Sequence, residues 1–412
     1  MIPLLLSLLA CNRTQPESPV VQDSDTGPFY APAVDCGERV LPEQGTLYRW
    51  PYLQNPQPDG ITVMWGTTAE RSATLLWGAD ASLGERATPQ VQAITDLDPL
   101  MNLQHVTLSG LEPGTTYCYG LEVDGQVVAS GLSFQTAPES PRAPLRFIAL
   151  GDYGNGSPEQ MAVLEAIKRH SDGVHFWVTL GDNAYTDGLH PEFQEKVFAV
   201  YQELWLDTPV MPTPGNHDWR AGNLTPYQDN FTVPRMVAER DEQEAYYIWQ
   251  WGALELLALD SADSLLNVSA QDGDELDWLD QVLATEQERW RIAAWHHPAY
   301  TGQPNRTPEL QVVLGLRPAV EEAGVPLILT GHNHMYERFS NVKADQKVEQ
   351  GSTFITSGGG GASLYEIGPN ELLDVNAQAH HFLLVDVDAC TIRLRAISSE
   401  DAVLDDWSTT RC

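Results

Sequence analysis

Residues Leu327–Arg338 read LILTGHNHMYER: a short apolar run closed by a threonine, then a glycine, then two histidines one residue apart. The run has the length and composition of a buried strand. The glycine lets the chain turn sharply. His332 and His334, at i and i+2, then point roughly the same way and can reach one small object together. A metal ion is the natural object, but a lone HxH is also what a polar loop offers by chance. The reading therefore depends on whether other strands end in the same way.

They do. LRFIAL is followed by GDYG with Asp152, and HFWVTL by GDNAY with Asp182 and Tyr185. GNHD brings Asn216 and His217, and RIAAW is followed by HHP with His296 and His297. Each motif alone is weak, since Gly-Asp after a strand is usually a turn. Together they are specific: metal-ligand types recur at successive strand ends, and the carboxyl ends of strands in an α/β sheet face one crevice. Apolar strands alternate with helical patterns throughout this part of the chain, which predicts an α/β domain around a largely buried sheet. Ser157, Pro158 and Gln160 predict the start of the first crossover helix, with Ser157 as N-cap and Gln160 as its capping-box partner. A second helix is expected near Asp274, with Leu276, Leu279, Val282 and Leu283 on its core face. TSGGGGA, residues 356–362, lacks the Lys and Ser/Thr of a phosphate-binding loop and reads as a close-packed turn.

Upstream the texture differs. ITVMWGT, ATLLWGA, QHVTLSG, TYCYGLEV and VVASGLSFQT are short β-type runs separated by turn residues, the pattern of an all-β sandwich. LSGLEPGTTYCYGLEV resembles the tyrosine-corner segment of fibronectin type III domains, with Tyr117 or Tyr119 as the corner residue. The expected organisation is a signal segment at 1–11, a flexible linker at 12–44, a sandwich at 45–137, a linker at 138–144 and the α/β domain at 145–412.

The series GDxG, GDxxY, GNHD, xxxH and GHxH resembles the calcineurin-like metallophosphoesterases. The tyrosine of GDxxY and the GHNHMYER block narrow the resemblance to the purple acid phosphatase branch. It implies a layered α/β catalytic domain with a dinuclear metal site at strand carboxyl ends. Asp152, Tyr185 and His334 would hold one ion, Asn216, His296 and His332 the other, and Asp182 would bridge them. His297 would then only support its neighbour or face solvent. His217 would bond the phosphoryl group, assist proton transfer, or only orient Asn216. The branch commonly has a further histidine about nine residues beyond the one matching His296; here Asn305 and Arg306 stand in that region, and Arg306 is expected to bind phosphate instead.

Ligand charge separates the two ions. Two carboxylates and an ionisable phenol favour a trivalent cation, Fe³⁺, at the Tyr185 site, while Asn and His ligands suit Fe²⁺, Zn²⁺ or Mn²⁺ at the second. The expected reaction is hydrolysis of phosphate monoesters by a metal-activated water or hydroxide. The same scaffold also serves phosphodiesterases and nucleotide hydrolases, and a non-catalytic metal-binding surface lipoprotein is a third reading. Calcium binding near Asp272 and Asp274 fails for want of an EF-hand loop.

Bulk composition sets outer limits. With 57 acidic against 23 basic residues and a net charge of −34, the chain repels nucleic acid and anionic lipid, so neither is expected as a partner. A small phosphate ester can still bind if the ions keep the pocket locally cationic. MIPLLLSLLAC resembles a lipoprotein signal with Cys11 as the lipidated residue, though no basic residue precedes the apolar run. Export to the cell envelope, or ordinary secretion, is the expectation, with any membrane contact through that lipid alone. Cys36, Cys118, Cys390 and Cys412 remain, and proximity favours Cys36 with Cys118 and Cys390 with Cys412 if they pair. Asn12, Asn223, Asn230, Asn267 and Asn305 lie in glycosylation sequons that matter only in a glycosylating host.

Overall fold

The computed structural model describes residues 34–68, 71–234, 245–262 and 274–412. The expected signal segment with Cys11, most of the linker, the sequons at Asn12 and Asn267, and Asp272 lie outside these residues. No helix among the described residues is long and apolar enough to cross a membrane.

The first part folds into β1 (Arg49–Gln57), β2 (Gly60–Thr68), β3 (Ala73–Gly78), β4 (Glu85–Ala87), β5 (Gln90–Ile94), β6 (Met101–Ser109), β7 (Thr116–Val123) and β8 (Gln126–Gln135). Strands β1-β2-β6-β5 form one antiparallel layer and β4-β3-β7-β8 the other. Their inward side chains, among them Trp65, Leu75, Leu121 and Phe134, are buried together, as period-two alternation requires. The corner residue is Tyr117, whose hydroxyl accepts the Glu112 N–H at 3.0 Å. Tyr119 instead donates to the Leu206 carbonyl in the second part of the chain. Cys36 is bonded to Cys118 on β7, and Cys390 to Cys412.

The second part contains β9 (Leu145–Leu150), α1 (Pro158–His170), β10 (Phe176–Leu180), α2 (His190–Phe193), α3 (Ala199–Trp205), β11 (Val210–Thr213), α4 (Thr225–Asn230), β12 (Tyr247–Trp251), β13 (Leu254–Ala258) and α5 (Asp274–Leu283). It continues with β14 (Trp290–Ala294), α6 (Arg317–Glu322), β15 (Leu327–Thr330), β16 (Tyr336–Lys343), β17 (Gln346–Lys347), β18 (Ser352–Ser357), β19 (Val375–Ala377), β20 (His381–Val387), β21 (Thr391–Ser398) and β22 (Val403–Thr410).

The expected sheet is two sheets. One carries β9-β10-β11 in parallel, and the other carries β13-β14-β15-β18 in parallel. They pack face to face through side chains such as Phe147, Val178, Leu256, Ile292 and Leu327. Helices α1, α3 and α4 cover the outer face of the first, and α5 and α6 that of the second. Such fully buried strands read as continuous apolar runs, so the sequence pattern cannot say which strands share a sheet.

The sandwich is also not a separate body. Its layer β1-β2-β6-β5 extends the first catalytic sheet, because β1 pairs with β11 in parallel at Gln54–Val210. Buried Arg49 reinforces the joint: it donates to Asn230 Oδ1 at 2.7 Å and Gln194 Oε1 at 2.8 Å, and lies 3.7 Å over the Phe198 ring. Asn230 is itself fully buried and donates to the Pro226 carbonyl, so its sequon is closed to modification in the folded chain.

Ser157 caps α1, accepting the Gln160 N–H at 3.1 Å. The Gln160 side chain, expected to return to Ser157, reaches Gly156 N at 2.6 Å instead, since Asn155 Oδ1 already takes the Ser157 N–H at 3.1 Å. α5 begins at Asp274 as expected, with Leu279 buried and Leu276, Val282 and Leu283 packed around it. The glycine loop after β18 is close-packed: a Cβ on Gly358, Gly359 or Gly360 would strike Asn333, His381 or Gly151.

Candidate metal centre

The carboxyl ends of both sheets open onto the same edge, and the predicted residues meet there from five different loops. Asp152 and Asp182 follow β9 and β10, Asn216 follows β11, His296 follows β14, and His332 and His334 follow β15. The turning is done by the donor residues themselves. Asp152, Asp182 and His332 have φ of 59°, 51° and 66°, in the left-handed region. That region disfavours side chains by roughly 1–2 kcal/mol, least so for Asp. Of the neighbouring glycines only Gly181 shares that conformation, at φ 81°; the others serve close approach. A Cβ on Gly215 would strike the backbone N and carboxylate of Asp182, and one on Gly331 would strike the Leu180 carbonyl and the Asp152 carboxylate.

Asp152, Asp182 and His296 are almost wholly buried. The Tyr185 hydroxyl lies 2.9 Å from Asp152 Oδ1, 3.0 Å from Asp182 Oδ2 and 3.4 Å from His334 Nε2. His334 Nε2 is 3.1 Å from Asp152 Oδ1, and His296 Nε2 is 3.3 Å from Asp182 Oδ1. Backbone carbonyls fix both rings: His296 Nδ1–H donates to the Leu180 carbonyl and His334 Nδ1–H to the Ser363 carbonyl, each at 2.7 Å. Both Nε2 atoms are thereby left facing carboxylates, an arrangement that demands either a proton or a cation between them. His217 is held likewise, donating from Nδ1 to the Thr186 carbonyl at 2.6 Å, with Nε2 3.8 Å from Asp182 Oδ2.

The electrostatics follow. Burial alone would lower the His296 pKa, but Asp182 and Asp152 outweigh it and raise it to about 9. Burial would raise Asp182, yet His296 and His217 hold it below the ordinary carboxylate range. Burial, then Asp152 and Asp182, push the Tyr185 phenol far above its usual value. His332 is driven down by burial and by its positive neighbours. Protons thus fill the place that a cation would take.

The donor set fits a pair of cations. His332 Nδ1 and His296 Nε2 face each other at 3.1 Å. Asn216 Oδ1 and His332 Nε2 are buried without a hydrogen-bond partner. Asp152, Asp182 and His296 offer ligand atoms within 4.8 Å of one another, and so do His296, His297 and His332. Arg306 lines a pocket with His332, Thr301 and Asn333. His297 does not face solvent; it is buried, 5% exposed.

Three residues belong to this site without having been singled out. Asp218, inside GNHD, accepts from Gly215 N at 2.8 Å and Asn183 N at 3.1 Å, tying two of the turns together; burial and Asp182 push its carboxyl up to about 7. Ser261 accepts from the His296 and His297 backbones. Tyr365 stacks on His334, centroids 4.1 Å apart. Only Asp218 sits within a metal-ligand motif; Tyr365 lies just beyond the glycine run at 356–362, and Ser261 follows a strand that ends in no recognisable pattern.

Residues 145–336 match the family model for calcineurin-like phosphoesterases, and residues 50–136 that for the purple acid phosphatase N-terminal domain. "Probable purple acid phosphatase 20" of Arabidopsis thaliana is 24% identical over 319 residues, 74% of this chain and 72% of that one. "Tartrate-resistant acid phosphatase type 5" of Mus musculus is 26% identical over 58% of this chain and 80% of its own length. A solved purple acid phosphatase from yellow lupin (Lupinus luteus) superposes with a TM-score of 0.76 at 18% identity, covering 90% of this chain and 75% of that one.

Proposed function

This chain belongs to the calcineurin-like metallophosphoesterases, in their purple acid phosphatase branch, and is a metal-dependent phosphoester hydrolase; from that premise we propose that it is an exported phosphatase acting on phosphate monoesters. The observation that carries the reading is the facing of His296 Nε2 and His334 Nε2 onto the buried carboxylates of Asp182 and Asp152, with their other nitrogens committed to carbonyls. Asp152, Tyr185 and His334 would hold Fe³⁺. Only a highly charged cation offsets burial and two carboxylates well enough to ionise that phenol. Asn216, His296 and His332 would hold Fe²⁺, Zn²⁺ or Mn²⁺, with Asp182 shared.

When bound, such a pair supplies an activated water and polarises the phosphoryl group. The protein's own residues orient the ester. His217, fixed through Thr186 with Nε2 3.8 Å from Asp182 Oδ2, and Arg306, which lines a pocket with His332, would bond the phosphoryl oxygens. The two disulfides favour an oxidising compartment, hence export. The acidic surface argues for a small ester rather than nucleic acid.

The test is metal analysis of purified protein together with rates on an aryl monophosphate and a bis-aryl phosphate. Two metals per chain, visible absorption from a tyrosinate on Fe³⁺ and faster monoester turnover are expected. Protein retaining no metal, or preferring the diester, would overturn the reading. Arg306→Ala should raise KM roughly tenfold, the scale of one charged contact; unchanged kcat and KM would remove Arg306 from the pocket.

A further inference from the structure

Of the histidines at the strand ends, His297 is the one that the reading above leaves without a role. Its ring centroid lies 4.2 Å from that of His332 and 5.0 Å from that of His296. It is buried at the same wall of the centre, not turned away from it.

Ser261 decides what this ring can do. Its Oγ accepts the backbone N–H of His296 at 3.2 Å and that of His297 at 2.9 Å. A hydroxyl oxygen has two lone pairs, so both are used. The single hydroxyl proton remains, and His297 Nδ1 stands 3.0 Å away to receive it. Nδ1 is therefore an acceptor, and the neutral ring carries its proton on Nε2. The adjacent His296 is set the opposite way, with Nδ1–H given to the Leu180 carbonyl and a lone pair on Nε2. Two neighbouring histidines in one cluster thus carry opposite chemistry: His296 a ligand atom at Nε2, His297 an N–H. That N–H has no acceptor among the described residues.

An oriented donor beside two predicted metal ligands, one of which lines a pocket with Arg306, suits an anionic oxygen. We propose that His297 is a substrate-contacting residue whose Nε2–H donates to a phosphoryl oxygen of the bound ester, with Ser261 as the positioning residue that holds its tautomer. The inference rests on the phosphatase reading.

The test compares His297→Leu, His297→Gln and Ser261→Ala in metal-loaded protein, with metal content measured beside kinetics. His297→Leu should keep both metals and lose roughly 100-fold or more in kcat with little change in KM, the scale of one lost transition-state donor. His297→Gln, which retains an N–H near that position, should recover most of it, and Ser261→Ala should fall between. In ¹⁵N-histidine-labelled wild type loaded with zinc, the His297 proton should report from Nε2, a readout independent of turnover and of how well the variants fold. Active wild type with His297→Leu unchanged in kcat/KM, loss of a metal in that variant, or a proton on Nδ1 would each overturn the inference. Wild type with no turnover of phosphate esters would instead overturn the phosphatase reading on which it stands.

Discussion

The two halves of the donor cluster solve the same problem differently. The oxygen-rich half, Asp152, Asp182, Tyr185 and His334, closes on itself through contacts of 2.9–3.1 Å. The nitrogen-rich half, Asn216, His296 and His332, leaves Asn216 Oδ1 and His332 Nε2 buried and unpaired. Buried negative charge can be neutralised by protons wherever a phenol or imidazole is at hand. Neutral ligands have no such substitute. The first half therefore keeps its geometry without a metal, while the second depends on one, although the first attracts a cation more strongly once protons are displaced.

The hardest way to break this comparison is to remove the group both halves share. Asp182→Asn should lower kcat/KM roughly a thousandfold and leave at most one metal per chain, as metal analysis and steady-state kinetics would show. Substitutions confined to one half should then separate them. Asn216→Ala should lose the second metal and about a hundredfold in rate. Tyr185→Phe should lose about tenfold and abolish visible absorption, leaving metal content close to two. Equal effects of the two would mean that the halves are not distinct.

A pH titration sharpens the contrast. With His296 raised to about 9 and His334 also raised in metal-free protein, protons compete with metal below about pH 9. Zn²⁺ affinity should fall by up to about tenfold for each unit of pH lost per proton displaced. Calorimetry at pH 7 in buffers of different ionisation heat should detect proton release; none would contradict the assignment.

The smallest expected effect concerns what braces the oxygen-rich half from behind. His190, at the start of α2 and five residues beyond Tyr185, lies between Asp96 of the sandwich at 2.9 Å and Asp229 of α4 at 3.1 Å. Burial would lower its pKa, but the two carboxylates raise it above its ordinary value. A raised folded-state pKa contributes stability that is complete below the unfolded value of about 6.5 and is lost as pH rises through the folded one. His190→Gln should therefore lower the melting temperature by about 1 °C at pH 5, corresponding in a chain this long to about 1 kcal/mol for a pair exposed on the Asp96 side, and by less at pH 9. A deficit that grows with pH would reverse the assignment.

Much of this was legible before any coordinates. Strands such as LRFIAL and HFWVTL announce themselves by apolar composition, and the polar residues after them by type. What could not be read depends on contacts between distant segments. Continuous apolar runs look alike whichever sheet they join, so the division into two sheets was hidden. The single pair Gln54–Val210 that merges sandwich and catalytic sheet carries no local signature. Nor does a sequence reveal that Asp152, Asp182 and His332 themselves take the left-handed conformation, the last two of the three turns differing in whether the preceding glycine, Gly181 but not Gly331, does so too. Ser261 was invisible because one hydroxyl between two backbone N–H groups forms no motif, and His297 could not be given a tautomer without it.

That merged sheet has a thermal consequence. Arg49 is buried at the joint, bonded to Asn230 and Gln194 and lying over Phe198, so parting the two lobes would break its charge-assisted hydrogen bonds and expose the apolar surface packed around it. Heating should accordingly give one calorimetric endotherm for the entire molecule instead of two, with the lobes melting as a single cooperative unit despite the change of texture between their sequences.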